Sequence, residues 1–296
     1  MSFKMEMEKF FAKMGKADKK MALALEQPKR GTGELELLRF TKKVRVKTWD
    51  ADGFCGVTIN GSYTKNAHIL MLPGGAYTLE PTGRSREIAE YFAMEERMRV
   101  SIFQYPLAPE YTALTAHQCL IKAYTGLICE YPDDEFYLFG DFSGGGLALS
   151  FLQELRDMGN LPMPVKTAVV SPWLDISLNN PRIKIAKKTD PVLPVDALKA
   201  AGARYCGPLE PDHPFVSPIF GDWNHLGPIL IFSGTEEILT PDCELLAERA
   251  GTLEGTELIY KKGAGMPHNW IMTASKETEA TLELISSFFQ EEHMEF

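Results

Sequence analysis

Positive charge is scarce in this chain: 31 Lys and Arg stand against 40 Asp and Glu, a formal net charge of -9. Non-specific nucleic-acid binding needs a basic footprint that displaces phosphate counterions, so it is excluded as the main activity. Cysteine is also scarce. Cys55, Cys119, Cys129, Cys206 and Cys243 are odd in number and contain no C-x-x-C pair, which argues against both a disulfide framework and a zinc knuckle. None of the six histidines pairs with another at i, i+3 or i, i+4, so no metal is expected. A run of about 18 apolar residues able to span a bilayer is missing, as is a signal-peptide apolar core at the N-terminus. A soluble protein in a reducing, cytoplasmic setting is the expectation, and membrane association is not. Neither an internal repeat nor a low-complexity tract occurs, and the Gly-Lys-Ser/Thr and G-x-G-x-x-G signatures of nucleotide loops are lacking. No cofactor is expected.

What is present is enough apolar material for a large core: 45% hydrophobic and 24% charged residues over a length of 296. Basic residues concentrate at one end. Residues 1–30 carry eight Lys/Arg against four Asp/Glu, or +4, which leaves -13 for the remainder of the total of -9. Over residues 2–25 an amphipathic pattern predicts a helix, with Phe3, Met7, Phe10, Met14, Met21 and Leu25 on one stripe and Lys9, Lys13, Lys16, Lys19 and Lys20 among them. Pro28 and Gly31 end it. Such a helix either folds over the body as a cap, the reading preferred here, or lies on a membrane surface or partner.

Residues 34–64 read as a β-meander at a sheet edge. Val44, Val46 and Thr48 alternate with lysines, Asp52-Gly53 is a hairpin signal, and Val57 to Ile59 follows. Beyond it, strands and helices alternate. Strands are predicted at 68–72, 100–105, 136–139, 167–170, 229–233 and 257–260, and helices near 84–97, 115–130, 144–158, 243–253 and 276–290. That order predicts an α/β fold with a mostly parallel sheet, helices on both faces and right-handed crossovers. Residues 175–227, rich in Pro and Asn, are too long for a plain connection and read as an insertion over the site.

Ligands of such sheets bind at the carboxyl ends of the strands, so the loops there carry the chemistry. After 68–72 comes Pro73-Gly74-Gly75-Ala76-Tyr77, whose glycines let backbone N–H groups approach a developing oxyanion; alone, a Gly-Gly is as readily a turn. After 136–139 the run Gly140-Asp141-Phe142-Ser143-Gly144-Gly145-Gly146 leads from strand to helix through a tight turn. The glycines Gly140 and Gly144 bracket Phe142 as those of a Gly-x-Ser-x-Gly elbow bracket a serine nucleophile. Following 229–233 stand Glu236, Glu237 and Asp242. His268 lies in Gly265-Met266-Pro267-His268-Asn269-Trp270, beyond the last strand, so nucleophile position, acid and histidine come in the order of a catalytic triad. His68, His117, His213, His225 and His293 lack such a context and read as structural or solvated. Tyr77, Trp173, Trp223 and Trp270 sit beside strand ends as pocket or core residues.

From about Ala67 onward the chain resembles the hormone-sensitive-lipase-like α/β-hydrolases, the bacterial family IV-type carboxylesterases. Pro73-Gly74-Gly75-Ala76 stands where that family has His-Gly-Gly-Gly, and Tyr105-Pro106-Leu107-Ala108-Pro109-Glu110 resembles Tyr-Arg-Leu-Ala-Pro-Glu. Gly140-Asp141-Phe142-Ser143-Gly144-Gly145 occupies the place of Gly-Asp-Ser-Ala-Gly-Gly; Ser171-Pro172-Trp173-Leu174-Asp175 and Val216-Ser217-Pro218 are similar to family motifs too. The resemblance implies an α/β-hydrolase domain over 34–296, capped by the N-terminal helix of 1–33 and the 175–227 insertion. It further implies small acyl esters as substrates, Glu237 as catalytic acid, His268 as base, and Gly74, Gly75 and the Ser143 N–H as oxyanion donors.

Two departures bear on activity. Pro73 fixes φ and removes an N–H and an imidazole where the family has histidine. Phe142 removes the nucleophilic hydroxyl, and loss of the nucleophile in a comparable triad costs on the order of 10⁶ in kcat. Three readings follow: a carboxylic-ester hydrolase by descent whose activity is lost or residual; a non-catalytic binder of small acyl or apolar ligands, with Phe142 in the pocket wall; or an active hydrolase whose elbow slips by one residue to present Ser143. The slipped elbow would place Asp141 where a tight glycine belongs. A homo-oligomer is compatible with the sequence.

Overall fold

Residues 136–141 are buried on both faces of the sheet, the signature of a central parallel strand covered by helices above and below. In the computed structural model, which describes residues 1–31, 39–61 and 64–290, that strand sits in the middle of eight. The strands are β1 (Arg45–Ala51), β2 (Phe54–Asn60), β3 (Ala67–Leu72), β4 (Arg99–Phe103), β5 (Glu135–Asp141), β6 (Lys166–Val170), β7 (Gly227–Glu236) and β8 (Thr256–Pro267). Their order across the sheet is β1-β2-β4-β3-β5-β6-β7-β8. β1 and β2 form the expected hairpin around Asp52 and Gly53, both at positive φ, and β2 pairs antiparallel with β4. All other pairings are parallel. Of the expected meander, residues 34–38 and 62–63 lie outside the described residues, as does His293.

Helices cover both faces. On one side α4 (Ala113–Glu130), α5 (Phe142–Met158) and α8 (Thr240–Ala247) enclose Leu70, Leu138, Val169 and Ile231. On the other, α3 (Gly83–Met94) and α9 (Lys276–Gln290) enclose Ile69, Phe139, Val170 and Leu230. Alternate residues of each strand thus enter opposite cores, as the two-residue period of a strand requires. Each buried Leu or Phe contributes roughly 1.5–3 kcal/mol.

Several boundaries depart from the sequence expectation: the helix expected over 243–253 is Thr240–Ala247, followed by a separate turn at Ala250–Thr252, and β7 runs three residues past 233 to Glu236. The last strand continues to Pro267 instead of ending at Tyr260, because the glycine-rich stretch keeps its ladder with β7 through Gly234 opposite Gly263 and, after a register shift, Glu236 opposite Pro267. His268 therefore follows directly on a strand end. At the N-terminus the single helix of 2–25 is two, α1 (Phe3–Met14) and α2 (Ala17–Glu26), separated at Gly15 and at Lys16 with φ 52. The stripe also splits: Leu25 is buried, whereas Phe3, Phe10 and Met14 face outward and α1 buries Met5 instead.

Between β6 and β7 the insertion carries α6 (Ile183–Ala186) and α7 (Val195–Cys206). α2 packs against α7, and Arg204 donates to the Leu25 carbonyl at 2.7 Å. α1 reaches the ends of β7 and β8, where Lys9 donates to Glu236 at 2.6 Å and to the Gly265 carbonyl at 3.0 Å. Among the described residues no helix is long and apolar enough to cross a membrane.

Candidate active site

The elbow is tight because its glycines are in backbone contact. A Cβ on Gly144 would lie 1.9 Å from the Leu72 carbonyl oxygen, and one on Gly140 would lie 2.5 Å from that of Gly144. No side chain fits at either position. Between them Phe142 adopts φ 48, the left-handed conformation that ordinarily disfavours a bulky residue, at a cost of roughly 1–2 kcal/mol. The elbow thus stays in the unshifted register, with Phe142 at its apex and Ser143 inside the first turn of α5.

Phe142 points into the site. Its ring stacks on Trp173 at 5.6 Å and 13° and meets His268 edge-to-face at 4.4 Å and 76°. The row continues away from His268: Trp173 to Tyr77 at 5.7 Å, then Tyr77 to Tyr205 at 3.8 Å and 5°. Tyr205 belongs to α7, so the insertion, the loop after β3 and the elbow share one buried aromatic column. Aromatic pairs of this kind are worth about 0.5–1.5 kcal/mol each beyond their area.

The acid and the histidine are brought together. His268 Nδ1 lies 2.6 Å from Glu237 Oε2, and Glu237 is fully buried. The other carboxylate oxygen accepts from Ser171 Oγ at 2.9 Å and from the Gly234 N–H at 2.7 Å. Ser171 Oγ in turn accepts the Asn269 N–H at 3.0 Å, so one hydroxyl links the acid to the residue after the histidine. This is the arrangement that fixes an imidazole's orientation and leaves Nε2 for a proton. Glu236 instead pairs with Lys9, and Asp242 accepts from Asn180 Nδ2 at 2.8 Å; neither reaches His268.

Ser143 faces Tyr105 in this geometry. Its Oγ lies 3.4 Å from the Tyr105 hydroxyl, which itself donates to the Pro73 carbonyl at 2.8 Å. In the loop after β3, the Gly74 N–H donates to Asp141 Oδ1 at 3.1 Å and is therefore occupied, while the N–H groups of Gly75 and Ala76 find no acceptor among the described residues. The sequence expectation of Gly74 as an oxyanion donor thus meets a carboxylate already in place, and Ala76 stands free instead. Asp141 is fully enclosed and also accepts from Asn269 Nδ2 at 2.6 Å; burial pushes its carboxyl above the usual range, against the opposing pull of those two donors.

Asp190, in the insertion, escaped sequence reasoning. Its carboxylate accepts from the Val192 and Leu193 N–H groups at 2.8 and 2.9 Å and from the Ile238 N–H at 2.9 Å, tying the insertion to the residue after Glu237. Burial raises its carboxyl as well, opposed by the nearby His268. Asn269 had a signal in its position beside the histidine; Asp190 had none, since an Asp before Pro191 reads as a turn. The side chains of three of the other four described histidines have partners elsewhere. His68 bonds Ser101 Oγ at 2.7 Å, His117 pairs with Glu154 at 2.6 Å, and His213 accepts the Phe215 N–H at 3.1 Å.

Beside the loop after β3 a cavity of about 320 Å³ opens, walled by Phe54, Pro73, Gly74, Leu79, Tyr105 and Glu110. Phe142, Glu237 and His268 do not line it. Glu110 is held there by Arg30, whose guanidinium keeps its carboxyl below the usual range.

The profile of the family described as alpha/beta hydrolase fold matches residues 69–272. The chain belongs to that family. An acetyl-hydrolase of Streptomyces hygroscopicus is 30% identical over 225 residues, 75% of each chain. An esterase of Acinetobacter venetianus is 29% identical over 231 residues, 77% of this chain and 76% of that one. Among solved structures, an esterase from the bacterial hormone-sensitive lipase family superposes with a TM-score of 0.79 at 24% identity, over 93% of this chain and 97% of the other. An esterase/lipase from an uncultured bacterium gives 0.78 at 23%, over 93% and 97%.

Proposed function

We propose that this protein descends from carboxylic-ester hydrolases of small acyl substrates and has lost hydrolysis, wholly or to a residue, through Phe142. Acyl transfer needs a hydroxyl whose proton passes to His268 Nε2 as its oxygen attacks the carbonyl carbon. A phenyl ring offers neither the proton nor the oxygen, and at 4.4 Å from the imidazole it fills the volume a tetrahedral intermediate would take. That contact is the observation that carries the reading. The Glu237-His268 pair and the unoccupied N–H groups of Gly75 and Ala76 support descent from a working enzyme, and relatives named acetyl-hydrolase and esterase support the substrate class. A reducing, cytoplasmic setting fits five cysteines that form no disulfide among the described residues.

The cavity beside Gly74 favours a second element of the same reading: retention of a small apolar ligand without turnover. Its volume of about 320 Å³ lies at the lower end of the range of small-molecule sites, roughly 300–1,000 Å³.

Intact-mass analysis after incubation with a fluorophosphonate tests the proposal on the unmodified protein, Ser143→Ala and Phe142→Ser. The expected result is a single adduct on Phe142→Ser alone, accompanied by hydrolysis of short p-nitrophenyl esters. An adduct on the unmodified protein that disappears in Ser143→Ala would overturn it in favour of a slipped elbow.

A further inference from the structure

The outward stripe of α1 is an apolar surface with no partner among the described residues. Phe3 is 79% exposed, Met14 65%, Phe10 56% and Phe11 55%. On a helix of 3.6 residues per turn Phe3, Met7, Phe10, Phe11 and Met14 fall within a sector of about 100°. The opposite side is tethered by polar contacts rather than by packing. Ser2 Oγ donates to Glu277 Oε2 at 2.7 Å, Lys9 holds Glu236 and the Gly265 carbonyl, and Met5 alone is buried. The tethers fix which way the stripe faces, and it faces away from the body.

Charge decides among occupants. Residues 1–30 carry +4 on a remainder of -13, with the total at -9. Lys4, Lys13, Lys16, Lys19 and Lys20 are exposed on α1, α2 and the corner between them. A second copy would bring the same +4 against itself across a two-fold axis. An anionic lipid surface answers both features: acyl chains take up the Phe and Met side chains, and headgroup phosphates neutralise the lysines. The acidic body then faces solvent.

We propose that α1 is a peripheral docking element through which the protein rests on anionic bilayers, with Phe3, Phe10, Phe11 and Met14 entering the interface and the flanking lysines on the headgroups. The middle of the helix passes beside the candidate site. Lys9 contacts Glu236, next to the catalytic-acid position, so a docked protein holds its candidate site at the lipid surface, where apolar acyl ligands concentrate. This proposal is independent of whether Phe142 abolishes hydrolysis.

Co-sedimentation of the full chain with sucrose-loaded vesicles of phosphatidylglycerol and phosphatidylcholine, against vesicles of phosphatidylcholine alone, tests it. Binding is expected to the mixed vesicles, at least tenfold weaker to the neutral ones, and weakened by salt. The triple variant Phe3→Ser/Phe10→Ser/Met14→Ser alters only exposed side chains and abolishes sedimentation while leaving the thermal midpoint in place. Each lysine replaced among Lys13, Lys19 and Lys20 lowers the partition coefficient about fivefold. Equal binding to both vesicles overturns the electrostatic assignment. No binding overturns the proposal outright, and a dimer by light scattering that the triple variant converts to monomer assigns the stripe to a second copy instead.

Discussion

His268 and Phe142 stand with their rings 4.4 Å apart and nearly perpendicular, the histidine held from behind by Glu237 at 2.6 Å. A histidine and its carboxylate partner are thus arranged around a side chain that has no proton to give. Phe142 also sits at φ 48 while being 3% exposed, so burial and backbone strain oppose each other at one residue.

That opposition can be measured. Phe142→Ala loses a buried ring at a cost of about 3–5 kcal/mol. Phe142→Gly loses the same ring and recovers about 1 kcal/mol, because glycine adopts positive φ without penalty. We expect the glycine variant to be the more stable of the two by about 1 kcal/mol in urea denaturation with unchanged m. Alanine the more stable would mean that residue 142 is not left-handed and the elbow has shifted.

Glycines at three positions should respond in opposite ways. Gly144→Ala places its Cβ 1.9 Å from the Leu72 carbonyl and Gly140→Ala places one 2.5 Å from that of Gly144, both against backbone that cannot yield. Each is expected to lose upwards of about 3 kcal/mol. Gly126 lies in α4 with nothing within 4 Å of an added Cβ, so Gly126→Ala should gain about 0.5–1 kcal/mol. Thermal midpoints of the three single variants check the contrast.

How much of this was legible beforehand depends on the range of the interaction. The elbow glycines, the Glu237-then-His268 order and the alternation of strand and helix are local patterns, and each stands in the structure where its pattern put it. The fate of the α1 stripe was not readable, because periodicity gives a face and not its direction; Lys9 reaching Glu236 and Ser2 reaching Glu277 turn it outward, and both contacts join distant parts of the chain. Occupation of the Gly74 N–H by Asp141 was hidden for the same reason. Two adjacent glycines are equivalent as letters and become different only when a side chain from another strand selects one.

Asn269 should matter through that same carboxylate. Asn269→Ala removes the 2.6 Å donor from a buried Asp141, leaving the Gly74 N–H as its remaining partner. A cost of about 1–3 kcal/mol is expected. Since burial already raises the Asp141 carboxyl and the amide opposes that rise, losing the amide penalises the ionised form selectively. The destabilisation should therefore grow as pH rises and shrink in acid. A cost independent of pH would mean that Asn269 acts by packing alone.

Asp242 gives the opposite sign to an ordinary salt-bridged acid. Burial, with Asp175 adding to it, raises its carboxyl from 3.8 to about 6, despite the Asn180 amide and Arg182 pulling the other way. The folded protein therefore holds this proton more tightly than the unfolded chain. Below pH 3.8 both states are protonated and the residue costs nothing; between there and about pH 6 a penalty accumulates; above that it is fully present. Asp242→Asn keeps an oxygen for the Asn180 amide and removes the charge. We expect it to stabilise the protein by on the order of 1–3 kcal/mol at pH 8 and by little at pH 4. Urea midpoints of the two proteins across that range would converge in acid and separate through pH 5–6, and curves that stay parallel would show that the carboxylate of Asp242 carries no such penalty.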